Sequence, residues 1–227
     1  DSSTSRGLGD VYKRQLYFSY LSFLLHSPDG DQGYPGALDM KVTYTLDEEN
    51  GLTIHYEAVP DQDTVINMTN HSYFNLNGHK SGSVLHHRMQ LLSDAFTPAD
   101  AQSIPTGEVC SVDGTPMDFR STKELGAEID AAYEPLILGN GYDHNWVLNA
   151  KGDITRKAAT LESPKTGIVL DVYTDEPGIQ VYAGNFLDGS LTGKKGITYN
   201  QRASVCLETQ KYPDTPNKPE WPSAVLR

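Results

Sequence analysis

Apolar and polar residues alternate with a period of two along much of this chain, which is the pattern of half-buried β-strands. Residues 41–46 and 52–59 both alternate, and the turn sequence Asp-Glu-Glu-Asn-Gly separates them, so the pair predicts a β-hairpin. Residues 64–76 form a third β-rich run, whose Asn and His residues interrupt the alternation. Shorter strands are predicted at 158–161, 168–173, 179–182 and 204–207, because Gly, Pro, Asn or Asp bounds each run.

One helix is predicted within this β pattern. Ser121 and Glu124 have the spacing of a capping box, which would open a helix of about two turns over residues 123–129. Because strands and helices do not alternate regularly, the sequence predicts an all-β fold, an antiparallel sandwich or barrel, in a single domain.

Charge and cysteine content narrow the classes of partner. The 227 residues include 18 Lys and Arg against 30 Asp and Glu, a formal charge of −12. Nucleic acids and anionic membranes are bound by clustered basic residues, so this balance argues against both. Cys110 and Cys206 are too few for a disulfide-built secreted domain. We therefore expect a cytoplasmic protein whose partner is a small neutral molecule.

Two polar segments contain groups that can move protons. Histidine is the side chain that ordinarily changes charge near neutral pH, so His71 could exchange a proton with a substrate, although the Asn and Ser residues beside it could equally satisfy its ring. Glu208 follows the apolar run 205–207, where partial burial would raise its pKa toward that of a general base. An ordinary solvated Glu at a strand end is the alternative.

Two further segments contain groups that suit sugar hydroxyls. Asp143 lies near an aromatic residue in segment 141–148 and could accept hydrogen bonds, or it could form an Asx turn at a strand entry. Gln180 shares a strand face with Tyr182, and its amide can both donate to and accept from a diol; an ordinary strand between two turns is the alternative. His86 and His87 have no Cys or His partner at ligand spacing, and no nucleotide-binding motif occurs, so no metal or cofactor is predicted.

Taken together and in this order, the polar segments resemble the aldose 1-epimerase, or galactose mutarotase, family. The motifs are SPDGDQGYPGAL, NMTNHSYFNLNG, GYDHNWVL, EPGIQVYAGNFLDG and CLETQKYPDTPN, and the resemblance extends over residues 18–227. It implies a large antiparallel β-sandwich with the sugar in an open cleft of the sheet. The implied reaction interconverts the α and β anomers of a free aldohexose, such as galactose or glucose, without a cofactor.

The resemblance also implies a role for each candidate residue. His71 would be the general acid toward the ring oxygen, and Glu208 the general base toward the C1 hydroxyl. Asp143 and Gln180 would hold the sugar hydroxyls. A non-catalytic carbohydrate-binding sandwich would keep the latter two without needing the acid–base pair. A relative acting on a phosphorylated sugar would need extra basic residues, of which these segments offer Lys211.

The chain departs from the family pattern at both ends. The sequence lacks three features of the family: an upstream Asn-Arg pair, a His-Gly-Gly stretch and the strands that follow Leu-Arg-Pro-Gly. We therefore expect residues 16–227 to form a partial sandwich domain. Because its sugar site would be incomplete, the chain itself could be inactive. Residues 1–15 are polar, lack either hydrophobic period and resemble translated sequencing-adapter sequence. We expect them to be a non-native leader.

Overall fold

The computed structural model describes residues 19–227, so the expected leader at residues 1–15 lies outside the described residues. Antiparallel strands dominate this part of the chain, which confirms the all-β prediction. The strands are β1 Ser19–Ser27, β2 Leu38–Leu46, β3 Leu52–Pro60, β4 Thr64–Val65, β5 Arg88–Leu91, β6 Ala95–Thr97, β7 Cys110–Ser111, β8 Lys123–Glu124, β9 Asp143–Val147, β10 Lys157–Glu162, β11 Val169–Tyr173, β12 Gly178–Tyr182, β13 Cys206–Gln210 and β14 Val225–Leu226. The helical elements are α1 Glu134–Leu138 and the short 3-10 turns Asp31–Gly33, Lys194–Gly196 and Thr215–Asn217.

One compact unit comprises residues 19–68 together with 225–227. Its main feature is an antiparallel meander in the order β1-β2-β3, and a short ladder joins β4 to β14. The predicted hairpin is confirmed as β2 and β3. Its turn is built by Asp47, whose side chain accepts backbone N–H bonds from Glu49 and Gly51 at 2.9 and 2.6 Å, while Asn50 takes a left-handed φ of 65°.

The second unit, residues 69–224, is a sandwich of two sheets. A four-stranded sheet has the order β11-β10-β5-β8, and a five-stranded sheet has the order β13-β12-β9-β6-β7. Met89 and Leu161 from the first sheet share one buried cluster with Phe96, Trp146 and Val181 from the second, and all five are 0% exposed. The apolar faces of the two sheets therefore pack against each other, as alternation along each strand requires.

Buried aromatic rings in this core have partners for their polar atoms. Nε1 of Trp146 donates to the carbonyl of Met117 at 3.0 Å, and the hydroxyl of Tyr142 donates to the carbonyl of Pro116 at 3.0 Å. The two rings lie 6.2 Å apart. The segment 116–117 is thus tied to β9 and its preceding residue, which fixes the strand that carries Asp143.

The predicted helix over residues 123–129 is wrong. Lys123 and Glu124 form β8, which pairs with β5. The next two residues bond to the segment before β5: Leu125 donates its N–H to the carbonyl of His87, and Gly126 donates its N–H to the carbonyl of Leu85. These amides are used between segments, so they are not available for a helical ladder. The α-helix in the described residues is the five-residue α1, which has Pro135 in its first turn.

The later strand predictions are confirmed at β10, β11 and β12, with bounds within one residue at each end. The run 204–207 corresponds to β13, which begins later and ends at Gln210, so Glu208 lies inside a strand and not after one.

The run 64–76 is mostly irregular: after β4 the structure has only an isolated bridge between Phe74 and Val205. In the interval, the Asn70 side chain accepts from the N–H of Ser72 at 3.1 Å, which competes with strand pairing.

Within residues 19–227, the structure contains no helix with the length and apolar character needed to cross a membrane.

Candidate active site

Three adjacent strands of the five-stranded sheet carry the site, with β12 between β13 and β9. Their sequences alternate, so Ile179 and Val181 of β12 are buried in the core while Gln180 and Tyr182 point to the other face. Strand pairing aligns two rows of side chains on that face: Glu208, Gln180 and Asn145 in one row, and Cys206, Tyr182 and Asp143 in the next.

His71 reaches this face from a segment that runs along the edge of β13. The hydroxyl of Thr69 donates to the carbonyl of Thr209 at 3.0 Å, and Phe74 exchanges backbone hydrogen bonds of 2.8 and 2.9 Å with Val205. These attachments hold the segment at both ends. Its polar middle therefore stays beside β13 without becoming a regular strand, and His71 lies over the polar face.

His71 and Glu208 form an ion pair in which Nε2 lies 3.3 Å from Oε1. The side chain of Glu208 is only 9% exposed, whereas that of His71 is 49% exposed. Burial raises the pKa of Glu208, the negative charge of Asp143 adds to the increase, and the charge of His71 opposes it. The carboxylate therefore has a higher proton affinity than an ordinary Glu, as the sequence predicted.

Asp143 and Gln180 contact each other in the same face. Nε2 of Gln180 donates to Oδ1 of Asp143 at 2.8 Å. Burial raises the pKa of Asp143, while this hydrogen bond and the nearby charge of His71 lower it. The amide also fixes the orientation of the carboxylate, which leaves its second oxygen for another donor.

His144, the next residue of β9, supports Asp143 from the core side. The backbone N–H of Asp143 donates to Nδ1 of His144 at 3.1 Å. The ring is 4% exposed and makes edge contacts with Phe96 and Trp146, at 6.1 and 6.3 Å between centroids. Burial lowers the pKa of His144 to about 4, although a hydrogen bond to the backbone of Pro135 opposes the shift. The ring is consequently neutral at neutral pH, with its proton on Nε2.

Aromatic rings border the polar face. Tyr182 accepts the backbone N–H of Phe186 at its hydroxyl, at 3.1 Å, and the two rings stack with centroids 6.2 Å apart. The ring of Tyr73 lies 5.0 Å from that of His71 and 6.2 Å from that of Tyr182. Tyr73 and Phe186 are exposed, so they offer apolar surface beside the polar face that carries His71 and Glu208.

Three acceptor oxygens in one row of the site are buried and lack a hydrogen-bond partner among residues 19–227. They are Oε1 of Glu208, Oε1 of Gln180 and Oδ1 of Asn145. Buried polar atoms are normally paired. A row of acceptors without partners is therefore suited to a ligand that brings several hydroxyl donors.

The structure brings together all four residues singled out from the sequence, His71, Asp143, Gln180 and Glu208, on or over one sheet face. Sequence reasoning missed a fifth polar member, Asn145, although its spacing of two from Asp143 on one strand was a usable signal. It also missed Cys206, which has no local signal, because its proximity to His71 arises between segments 135 residues apart.

The described residues thus form a β-sandwich that carries a His–Glu ion pair and a hydrogen-bonded amide–carboxylate pair on one sheet face. In the comparison with known proteins, the family model described as aldose 1-epimerase matches residues 12–227. The chain belongs to the aldose 1-epimerase family. This confirms the resemblance found from the sequence motifs.

Individual relatives and solved structures give the same result. The chain is similar to galactose mutarotase from Mus musculus, with 42% identity over 217 residues, covering 96% of this chain and 61% of the relative. It is also similar to aldose 1-epimerase from Escherichia coli, with 43% identity over 201 residues, covering 88% of this chain and 57% of the relative. The chain thus spans about 60% of the length of these curated relatives.

Among solved structures, the GalM/aldose epimerase homologue from C. elegans superposes with a TM-score of 0.80 at 31% identity, covering 92% of this chain and 61% of that one. Galactose 1-epimerase from Lactobacillus acidophilus superposes with a TM-score of 0.79 at 30% identity, covering 94% and 61%. These neighbours support the β-sandwich architecture directly.

Proposed function

We propose that this chain carries the acid–base machinery of an aldose 1-epimerase that interconverts the anomers of free aldohexoses such as galactose or glucose. The observation that carries the proposal is the contact of 3.3 Å between His71 and the buried Glu208, beside the hydrogen-bonded pair of Asp143 and Gln180. Relatives named galactose mutarotase and aldose 1-epimerase support the same chemistry.

Ring opening requires one proton to leave the anomeric hydroxyl and another to reach the ring oxygen. In the proposed step the carboxylate of Glu208 accepts a proton and His71, as an imidazolium, donates one. Glu208 takes the proton of the C1 hydroxyl, the C1–O5 bond breaks, and His71 protonates O5. The product is the open-chain aldehyde, with no change of oxidation state.

Reclosure reverses these transfers after rotation about the C1–C2 bond. His71 removes the proton from the O5 hydroxyl, O5 attacks the other face of the aldehyde, and Glu208 returns its proton to the carbonyl oxygen. Each group ends in its starting state, so the cycle needs no external acid, base or cofactor. The raised pKa of Glu208 suits this role, because a stronger base removes a hydroxyl proton more readily.

Asp143 and Gln180 are proposed to hold the sugar while its anomeric carbon reacts. Asp143 can accept from a sugar hydroxyl through its second oxygen, and the Oε1 atom of Gln180 is an acceptor with no partner among the described residues. The half-exposed ring of His71 can turn to admit the sugar, whereas Glu208 is held within β13. Binding thus replaces the direct contact between acid and base.

A sugar-phosphate substrate is less well supported. Lys211, which follows the last residue of β13, is paired with both carboxylate oxygens of Glu176 at 3.1 Å, so its charge is already balanced. The cytoplasmic location expected from the composition is also part of the proposal. Its support is that Cys110 and Cys206 are both free, as in proteins of reducing compartments.

Polarimetry of freshly dissolved α-D-galactose tests the proposal. The chain is compared with Glu208→Gln and with Glu49→Gln, a matched control in the exposed hairpin turn. We expect the chain and the control to accelerate mutarotation over buffer, and Glu208→Gln to lose about 10²–10⁴-fold of that acceleration. Calorimetric titration with galactose on the same samples measures sugar binding separately.

A full rate in Glu208→Gln would contradict the assigned base. A chain that binds galactose without accelerating mutarotation would instead identify a carbohydrate-binding sandwich, the alternative function left by the sequence.

A further inference from the structure

Three metal-binding side chains meet at the edge of the polar face: His71, Cys206 and Glu208. One ligand atom from each lies within 4.8 Å of the other two. Sγ of Cys206 is 3.4 Å from Nδ1 of His71, and Nε2 of the same ring is 3.3 Å from Oε1 of Glu208. Nothing in the sequence spacing indicates this cluster, because its members come from two segments far apart in the chain.

A second observation indicates a ligand at this position. The side chain of Glu208 is nine-tenths buried, and its Oε1 atom has no hydrogen-bond partner among the residues the structure describes. That oxygen points toward the ring of His71, into the space shared with Cys206. A buried anionic oxygen that accepts no hydrogen bond, and whose charge is opposed only by a half-exposed imidazole 3.3 Å away, is stabilised strongly by a cation.

The ligand set selects the kind of cation. Zn²⁺ binds thiolate, imidazole and carboxylate, and its sites with three protein ligands keep a fourth position for water or another small ligand. Soft thiolate ligands disfavour Mg²⁺ and Ca²⁺, which prefer oxygen. The three ligand atoms, one from each residue, lie within 4.8 Å of one another, so small side-chain movements would bring them around one ion.

We propose that His71, Cys206 and Glu208 form a binding site for a thiophilic divalent cation, Zn²⁺ or Cd²⁺, that occupies the acid–base centre. Binding forms a bond from the metal to each of Sγ, one imidazole nitrogen and a carboxylate oxygen. The Cys206 thiol and the His71 imidazolium each release a proton to solvent, Glu208 binds as the carboxylate, and no group is oxidised or reduced. Because His71 and Glu208 cannot serve the metal and the sugar at once, the cation excludes the sugar; this consequence alone rests on the proposed function.

Titration of the metal-free chain with Cd²⁺ tests the site without an activity assay. We expect one equivalent of Cd²⁺ to produce the ultraviolet thiolate-to-cadmium charge-transfer band. Cys206→Ser should remove the band, whereas Cys110→Ser, which alters the other thiol, should leave it unchanged. His71→Ala changes a half-exposed side chain in an irregular segment and should weaken Cd²⁺ binding by at least about 100-fold.

Circular dichroism of each variant establishes that the fold is retained, and His71→Ala provides a test independent of the buried thiol. The proposal is overturned if the unmodified chain gives no band, if the band persists in Cys206→Ser or disappears in Cys110→Ser, or if His71→Ala binds Cd²⁺ as tightly as the unmodified chain.

A final titration in saturating galactose separates this proposal from the catalytic one. A weaker apparent affinity for Cd²⁺ is expected when the sugar occupies the same residues. Unchanged Cd²⁺ binding in a chain that demonstrably binds galactose would refute the shared site, whereas Cd²⁺ binding in a chain that binds no galactose would leave the metal site standing and contradict the proposed function.

Discussion

Replacing Glu208 by Gln should stabilise the fold at neutral pH while it removes the proposed catalytic base. The carboxylate is 91% buried by side-chain area and lies beside a second acidic group, Asp143, and burial raises its pKa above the ordinary value of 4.5. A raised pKa means that the folded protein holds the charged form at a cost that the unfolded chain does not have. Gln keeps the size and shape of the side chain without the charge.

The sign and size of the effect follow from linkage. Below pH 4.5 Glu208 is protonated in both states, so the variant has no electrostatic advantage. The advantage develops as pH rises from that value through the folded-state pKa, and it is complete above it. Each unit of pKa shift is equivalent to about 1.4 kcal/mol. For a domain of this size, about 1 kcal/mol corresponds to roughly 2–4 °C in Tm.

The assay is urea unfolding of the chain, Glu208→Gln and the exposed control Glu49→Gln at several pH values between 4 and 8. We expect the free energy of unfolding of Glu208→Gln to exceed that of the chain by an amount that grows with pH, and the control to show no such trend. A Glu208→Gln variant that is destabilised at neutral pH, by the same amount at every pH, would refute the argument that burial raises the cost of this charge.

Other substitutions and a spectroscopic measurement test different parts of the site. Asp143→Asn should raise KM for galactose by about 10–100-fold with a smaller effect on kcat, as steady-state polarimetry would show, because a charged acceptor contributes about 1.5–3 kcal/mol; an unchanged KM would contradict its binding role. Gly178→Ala should destabilise the fold by about 1–3 kcal/mol in urea unfolding, since the added Cβ would lie 2.3 Å from Oδ1 of Asn145. The His144 ring should remain neutral in nitrogen-15 NMR down to pH about 4, because burial lowers its pKa; protonation near pH 6.5 would refute this.

Strand positions in the sandwich were predictable where the local pattern and the tertiary environment agree. In β12, Ile179 and Val181 face the core and Gln180 and Tyr182 face the site, as period-two alternation requires. The helix prediction at 123–129 failed because the local pattern and the tertiary environment disagree there. A capping-box sequence has a weak local preference, and pairing of β8 with β5 outweighs it once the two segments meet.

The amino-acid sequence alone determined the fold class and the family of this chain. The short alternating runs predicted an all-β fold, and the ordered polar motifs indicated the family and four candidate site residues. Only the tertiary structure decided how those residues meet. The contact of His71 with Glu208, the position of Cys206 beside them and the alignment of Asn145 with Gln180 depend on strand register and on a segment attached to the edge of β13. Such contacts join residues distant in sequence, and local pattern contains no information about them, because register is set by packing of the whole sandwich.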